Sequence, residues 1–256
     1  MRGLDYEKLV IDIQDWIKNY LKSAKADNIV VGLSGGIDSA VTAALCTEAL
    51  GKENLVGLGL PCSSISQDLE DAKLIAEHLG IKFEILDLTP VYEKFLEISN
   101  SNPMKEKLAS ANLKPRLRMM ALYFVGQSKG NSLIAGTSNR AELAIGYFTK
   151  YGDGAADFEP LASLYKQEVR MIAGVLKIPE NIITKTPSAG LWPGQTDEGE
   201  IGLSYDIIDE ILYRIDYNLD FKGLDEKDIM KVRKLMSAAE YKLKMPPFFD
   251  VRKYNY

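Results

Sequence analysis

Apolar residues recur every three or four positions through Leu9, Ile13, Trp16, Ile17, Tyr20 and Leu21, which predicts an amphipathic helix over 5–23. Ile29–Leu33 (IVVGL) breaks that period. It is short, apolar and β-branched, and suits a strand covered on both faces. The alternation then repeats. Val41, Ala44, Leu45 and Ala49 mark a helix over 39–50 closed by Gly51, and Leu55–Leu60 (LVGLGL) is a strand. Residues 67–79 form a helix stopped by Gly80. Lys82–Leu88 (KFEILDL) is the next strand, followed by a helical segment near 90–99. Pro115 suits the first turn of a helix ending near Ser128, and Leu133–Ala135 is a short strand ending at Gly136. Strands separated by helices imply right-handed βαβ units, so the expected class is α/β, a parallel sheet flanked by helices on both faces.

After Gly146 the pattern loosens. Residues 147–160 read as a long polar loop, of the kind that usually carries function. A helix over 166–176 follows, then a Pro-, Gly- and Asp-rich stretch over 186–199, and finally two helical patterns over 205–218 and 225–243. With no repeat, low-complexity tract or linker, 1–256 reads as a single domain. Its α/β core spans about 25–180, and about 181–256 adds the second loop and a helical C-terminal extension.

Composition narrows the chemistry. The 256 residues are 46% hydrophobic with a formal charge of −5, so nothing suggests a nucleic-acid or anionic-membrane partner. No apolar run approaches a membrane span and the first twenty residues lack a signal-peptide core, so a cytoplasmic location is expected. Cys46 and Cys62 form no metal-ligand pair, and His78 is the one histidine. Zinc-protease and Ser/His/Asp chemistry are therefore poor fits. Carboxylates, cations, hydroxyls and backbone amides must do the work.

The first strand ends in Ser34-Gly35-Gly36-Ile37-Asp38-Ser39. Two glycines expose backbone N–H groups, two serines add hydroxyls, and the following helix offers its positive end, so the turn suits a polyphosphate. It lacks the lysine of GxxxxGK[ST] and the spacing of GxGxxG. Asp38, an acid in an anion pocket, makes sense if a cation bridges it to phosphate, and Mg²⁺ is the natural choice. A bare strand-to-helix turn would not require this many hydroxyls, glycines and an acid together.

SGGxDS resembles the loop of the adenine-nucleotide hydrolase-like ATP-pyrophosphatases. Within that group, Thr137-Ser138-Asn139-Arg140-Ala141-Glu142 and the run Gly146–Asp157 (GYFTKYGDGAAD) resemble segments of the NAD synthetase family. Pro115–Met119 (PRLRM), Leu164-Tyr165-Lys166, Lys185–Trp192 (KTPSAGLW), Gln195–Glu198 and Leu203–Asp206 follow in family order, so the likeness runs from Leu33 to about Pro246. The length is that of the short, ammonia-dependent form, with no room for a glutaminase domain.

That resemblance implies a Rossmann-like fold and a ligase that amidates deamido-NAD⁺ (nicotinic acid adenine dinucleotide) with ammonia. ATP is cleaved to AMP and pyrophosphate through an acyl-adenylate, as the last step of NAD⁺ biosynthesis. It implies that Gly32, Leu33, Ser34, Gly35, Gly36, Ile37, Asp38 and Ser39 surround the ATP phosphates, with Thr137, Lys166 and Ser188 as further ATP contacts. Ser188 stands where the family has threonine. Asp38 and Glu142 would hold Mg²⁺, and Asp153 is a candidate proton acceptor. Arg116, Lys150, Asp157, Tyr241 and Lys242 match positions that bind deamido-NAD⁺, with Tyr241 replacing a family histidine. A homodimer is also implied. The rivals are a tRNA-modifying ATP-pyrophosphatase, which should carry a basic face or catalytic cysteines, and a non-catalytic nucleotide sensor, which would not need both acids.

Overall fold

The structure is a computed structural model that describes residues 2–64, 66–192 and 194–253. Four parallel strands, β1 (Asn28–Gly32), β2 (Leu55–Gly59), β3 (Lys82–Ile85) and β4 (Ser132–Ala135), form a sheet in the order β3-β2-β1-β4. The helices in chain order are α1 (Tyr6–Ala24), α2 (Ile37–Leu50), α3 (Ser66–Leu79), α4 (Thr89–Ile98), α5 (Lys107–Ser128) and α6 (Arg140–Ile145). They continue with α7 (Lys166–Val175), α8 (Glu180–Ile183), α9 (Asp197–Ile201), α10 (Tyr205–Asp216) and α11 (Glu226–Leu243).

Period-two alternation along β1 feeds two cores. Ile29 and Val31 pack with α1, α2, α3 and α7 on one face, while Val30 packs with Leu117 and Ala121 of α5 on the other. A third core joins α6, α10 and α11 around Tyr205, Ile208, Ile211, Leu212 and Val232. The chain moves outward from β1 to β2 to β3, then crosses back through α4 and α5 to lay β4 on the other side of β1. Strand order thus reverses between β1 and β4. In open α/β sheets the crevice beyond the carboxyl ends of such strands is where ligands bind.

The α/β architecture expected from the chain is borne out, with local corrections. Helix α5 begins at Lys107, so Pro115 lies inside it instead of in its first turn. An interior proline loses one helical hydrogen bond and costs about 3 kcal/mol. Contacts of the buried Ala111, Leu117 and Ala121 hold the helix together across it. Strand β3 stops at Ile85, three residues short of Leu88. The amide of Thr89 is captured by Asp87 Oδ1 at 2.9 Å, which turns the chain into α4. The 147–160 loop is not wholly outside the core. Phe158 is buried, bridges Ala135, and packs its ring against Trp16 and Tyr20. Among the described residues, no helix is long and apolar enough to cross a membrane.

Gly146 ends α6 with φ at 71°, and its missing side chain lets α11 approach. A Cβ there would lie 2.5 Å from Ala239 Cβ. Substituting Gly146→Ala combines left-handed strain with that overlap, and should destabilise the fold by about 1–3 kcal/mol in a denaturant titration. An unchanged midpoint would mean that α6 and α11 can separate freely.

Candidate active site

Three chain segments converge at the β1/β4 reversal. The first is the Ser34–Ser39 turn between β1 and α2. Its hydroxyls hold its own shape: Ser39 Oγ donates to the Gly36 carbonyl at 2.9 Å and accepts from the Ser34 amide at 3.2 Å, while Ser34 Oγ accepts from the Gly36 amide at 3.2 Å. Gly36 caps α2 without a side chain, so the helix's positive end faces the turn, with Asp38 in its first turn.

The second is the turn from β4 into α6. Asn139 caps α6 by accepting from the Glu142 amide at 3.0 Å, and Glu142 Oε2 accepts from the Asn139 amide at 3.2 Å. The other end of the same buried amide, Asn139 Nδ2, donates to Asp38 Oδ1 at 3.0 Å. One side chain therefore fixes the spacing between the two acids.

The third is Lys166, the first residue of α7 and only 1% exposed. Its ammonium reaches Asp38 Oδ2 at 2.5 Å and Glu142 Oε1 at 3.4 Å, and lies 4.8 Å from the centre of the Tyr205 ring. Burial alone would lower its pKa, but Asp38 and Glu142 outweigh burial and raise it, so the charge is retained. Burial first, and then Asp38, push the Glu142 carboxyl above the ordinary range, against the pull of Lys166. The Tyr205 hydroxyl donates to Asp197 Oδ2 at 3.1 Å, which adds a third carboxylate around one cation.

Asp38, Glu142, Lys166 and Asp197 line a cavity of about 300 Å³ together with Gly32, Leu33, Ser34, Gly36, Ile37, Ser39, Thr137 and Ser188. A second cavity of about 340 Å³ is lined by Arg116, Lys150, Tyr241 and Lys242. Pro115, Tyr147, Asp153 and Ala189 belong to both walls. Lys242 donates to the carbonyls of Gly146 and Phe148 at 2.7 and 2.8 Å, and Lys150 donates to the Tyr241 carbonyl at 2.8 Å. The Tyr241 ring, 63% exposed, lies 5.3 Å from the Lys150 ammonium.

A family model for NAD synthase matches residues 9–246. The chain is 43% identical to the NH(3)-dependent NAD(+) synthetase of Archaeoglobus fulgidus over 97% of its own length and 99% of that protein's. Among solved structures it resembles the NMN synthetase of Francisella tularensis, with a TM-score of 0.88 and 34% identity over 97% of this chain and 100% of the other. It also resembles the NH3-dependent NAD synthetase of Campylobacter jejuni, with a TM-score of 0.82 and 34% identity over the same shares. The chain belongs to the NAD synthase family.

Most of the residues singled out from the family resemblance fall on the two cavity walls; Gly35 belongs to the same turn. Asp157 lies on neither wall. Its carboxylate accepts from the Ile134 amide at 2.7 Å and the Tyr123 hydroxyl at 3.2 Å, fastening the loop to β4. Trp192 borders the second cavity, with the Lys107 ammonium 4.1 Å from its ring centre. Sequence reasoning missed Asn139, Tyr205, Asp197 and Lys185 as parts of the site. Asn139 carried a legible signal, since an Asn three residues before Glu is a helix-start pattern.

Lys166 is itself held from behind. The buried Asp209 of α10 accepts from the Gln167 amide at 3.1 Å, and its other oxygen has no partner. Burial pushes this carboxyl up to about 6. Folding thus favours its protonated form, a contribution present at low pH and lost as pH rises through about 6. Relative to Asp209→Asn, the wild-type chain should lose about 2 kcal/mol of stability between pH 4 and 7. Parallel pH–stability curves for the two proteins would refute this.

Proposed function

We propose that this chain amidates deamido-NAD⁺ with ammonia to give NAD⁺, cleaving ATP to AMP and pyrophosphate. The observation that carries the reading is the pair of adjoining cavities. One holds the Ser34–Ser39 turn with Asp38 and Glu142, the other three cationic side chains, and they share a wall at Asp153. In this reading Gly32–Ser39, Thr137, Lys166 and Ser188 bind ATP. Arg116, Lys150, Tyr241 and Lys242 bind the dinucleotide, while Asp157 acts from behind by holding the loop that carries Lys150 and Asp153.

The donor set fits Mg²⁺. Asp38 and Glu142 converge on a single ammonium, and with Asp197 the three acids leave the site net negative in a cavity suited to a polyanion. Asp38 and Glu142 would hold such an ion, which takes one or two carboxylates and completes its shell with phosphate oxygens and water. When bound, Mg²⁺ neutralises charge on the leaving pyrophosphate.

The chain's own groups account for the remaining steps. Cations of the second cavity orient the dinucleotide so that a nicotinate carboxylate oxygen faces the α-phosphorus across the shared wall. That oxygen forms a bond to phosphorus as the bond to pyrophosphate breaks, and Lys166 and the backbone amides of the turn stabilise the developing charge. Ammonia then attacks the acyl carbon, AMP departs with the transferred oxygen, and Asp153 accepts the surplus proton. The nucleophile is NH₃, so ammonium use rises with pH below ammonium's own pKa.

The reading extends to a cytoplasmic homodimer. Exposed Val91, Phe95 and Ile98 of α4 and Met120 and Phe124 of α5 supply the apolar surface for self-association. The net charge of −5 supports neither a nucleic-acid partner nor a charged membrane. The Francisella neighbour's name makes nicotinic acid mononucleotide the competing acceptor. Three cations in the second cavity favour the dinucleotide, which carries a pyrophosphate there.

The test is amide formation by purified protein with ATP, Mg²⁺ and ammonium, read as NAD⁺ from the dinucleotide and as nicotinamide mononucleotide from the mononucleotide, beside a glutamine-only reaction. Ammonium-dependent NAD⁺ is expected, and Asp38→Asn or Glu142→Gln should lower turnover at least about 100-fold. Product from the mononucleotide alone would overturn the acceptor assignment. Full activity in both variants would overturn the metal site.

A further inference from the structure

Lys185 lies just beyond α8 on the wall of the first cavity, and the steps above give it no role. Its ammonium donates to Asp71 Oδ2 at 2.5 Å, Asp68 Oδ1 at 2.8 Å and the Gly35 carbonyl at 3.2 Å. An ammonium has three protons, and three protein acceptors take them. Asp71 is itself buried and oriented by Gln67 Nε2 at 2.9 Å. Gly35 has φ at 77°, and a Cβ at this position would collide with the Asp68 carbonyl and come within 2.9 Å of Asp71 Cβ. The turn is therefore pressed directly onto the first turns of α3, and Lys185 is the bolt.

The consequence runs through one peptide group. In a trans peptide the carbonyl and the next N–H point to opposite sides. Holding the Gly35 carbonyl toward Lys185 turns the Gly36 N–H the other way, toward Ser34 Oγ at 3.2 Å and the hydroxyl side of the turn. Lys185 also opens the 186–199 stretch that carries Ser188, so the same ammonium ties that loop to the phosphate turn.

We propose that Lys185 is a positioning residue: clamped by Asp68 and Asp71, it sets the Gly35–Gly36 peptide so that the turn keeps its anion-binding shape. The proposal rests on the reading that this turn holds the phosphates of ATP. Its rival is that Lys185 itself contacts phosphate, with the two acids merely parking it. The two ideas differ in sign. If the acids clamp a bolt, removing one loosens the turn and weakens nucleotide binding; if they compete with phosphate for the lysine, removing one strengthens it.

Calorimetric binding of α,β-methylene ATP, which cannot release pyrophosphate, separates them in the wild-type chain, Lys185→Met, Asp71→Asn and the double variant. Each single variant should weaken binding roughly tenfold, and the double variant should be no more than about twofold worse than either, as expected of residues acting as a unit. In turnover, KM for ATP should rise while KM for deamido-NAD⁺ stays unchanged, a split that general destabilisation would not produce. Tighter or unchanged binding by Asp71→Asn, or fully additive losses, would overturn the proposal. Asp71→Asn keeps the side chain's size, so it decides the matter even if Lys185→Met fails to fold. No binding by the wild-type chain would overturn the phosphate reading of the turn itself, and the proposal with it.

Discussion

Lys166 meets Asp38 at 2.5 Å and Glu142 at 3.4 Å, although 128 residues separate the first pair and 24 the second. A buried ammonium between half-buried carboxylates is tolerated only when each charge is paired and hydrogen-bonded. That condition shapes everything around it. Asn139 bonds both to Asp38 and to the backbone amide of Glu142, Asp209 receives an amide at the start of α7, and the Tyr205 ring covers the lysine. The acids and the lysine thus sit at fixed distances before any nucleotide arrives. Such preorganisation lets an active site stabilise transition-state charge without reorganising during the reaction.

Sheet topology explains why the cluster forms where it does. Strand order reverses between β1 and β4, and each strand ends in a turn that starts a helix carrying one acid in its first turn. Helix α7 then brings Lys166 across the gap, with its apolar side packed against α1 and α2. The second cavity abuts the first because α5, with Pro115 in its interior, runs beside both, and because the 147–160 loop folds back to contribute Tyr147 and Asp153 to each wall. The two cavities are thereby held side by side, as the proposed transfer between two substrates requires.

The strand–helix alternation was legible because each long element carries its own period: the βαβ units, the phosphate turn and the C-terminal helices all follow from spacing. Short pieces were not. Helices α6, α8 and α9 have 6, 4 and 5 residues, too few for a 3.6-residue repeat to register. The start of α5 was hidden by Pro115, whose usual place is a helix's first turn, and whose cost here is absorbed by packing. Asp38 and Glu142 could be named from their motifs. Asn139 was legible only as a helix cap: its bond to Asp38 spans 101 residues and, like the Lys185–Asp71 pair across 114 residues beside the turn, leaves no local trace. Asp157 is the converse case. It matched a substrate-binding position, yet its carboxylate is occupied in fastening the loop to β4.

The central claim is that the first cavity activates a carboxylate by transferring AMP to it. Deamido-NAD⁺ carrying ¹⁸O in its nicotinate carboxylate, turned over with unlabelled ATP and ammonium, tests this most directly by mass spectrometry of the products. The account predicts one ¹⁸O in AMP, one retained in the amide of NAD⁺ and none in pyrophosphate. Unlabelled AMP, or label appearing in pyrophosphate, would contradict it.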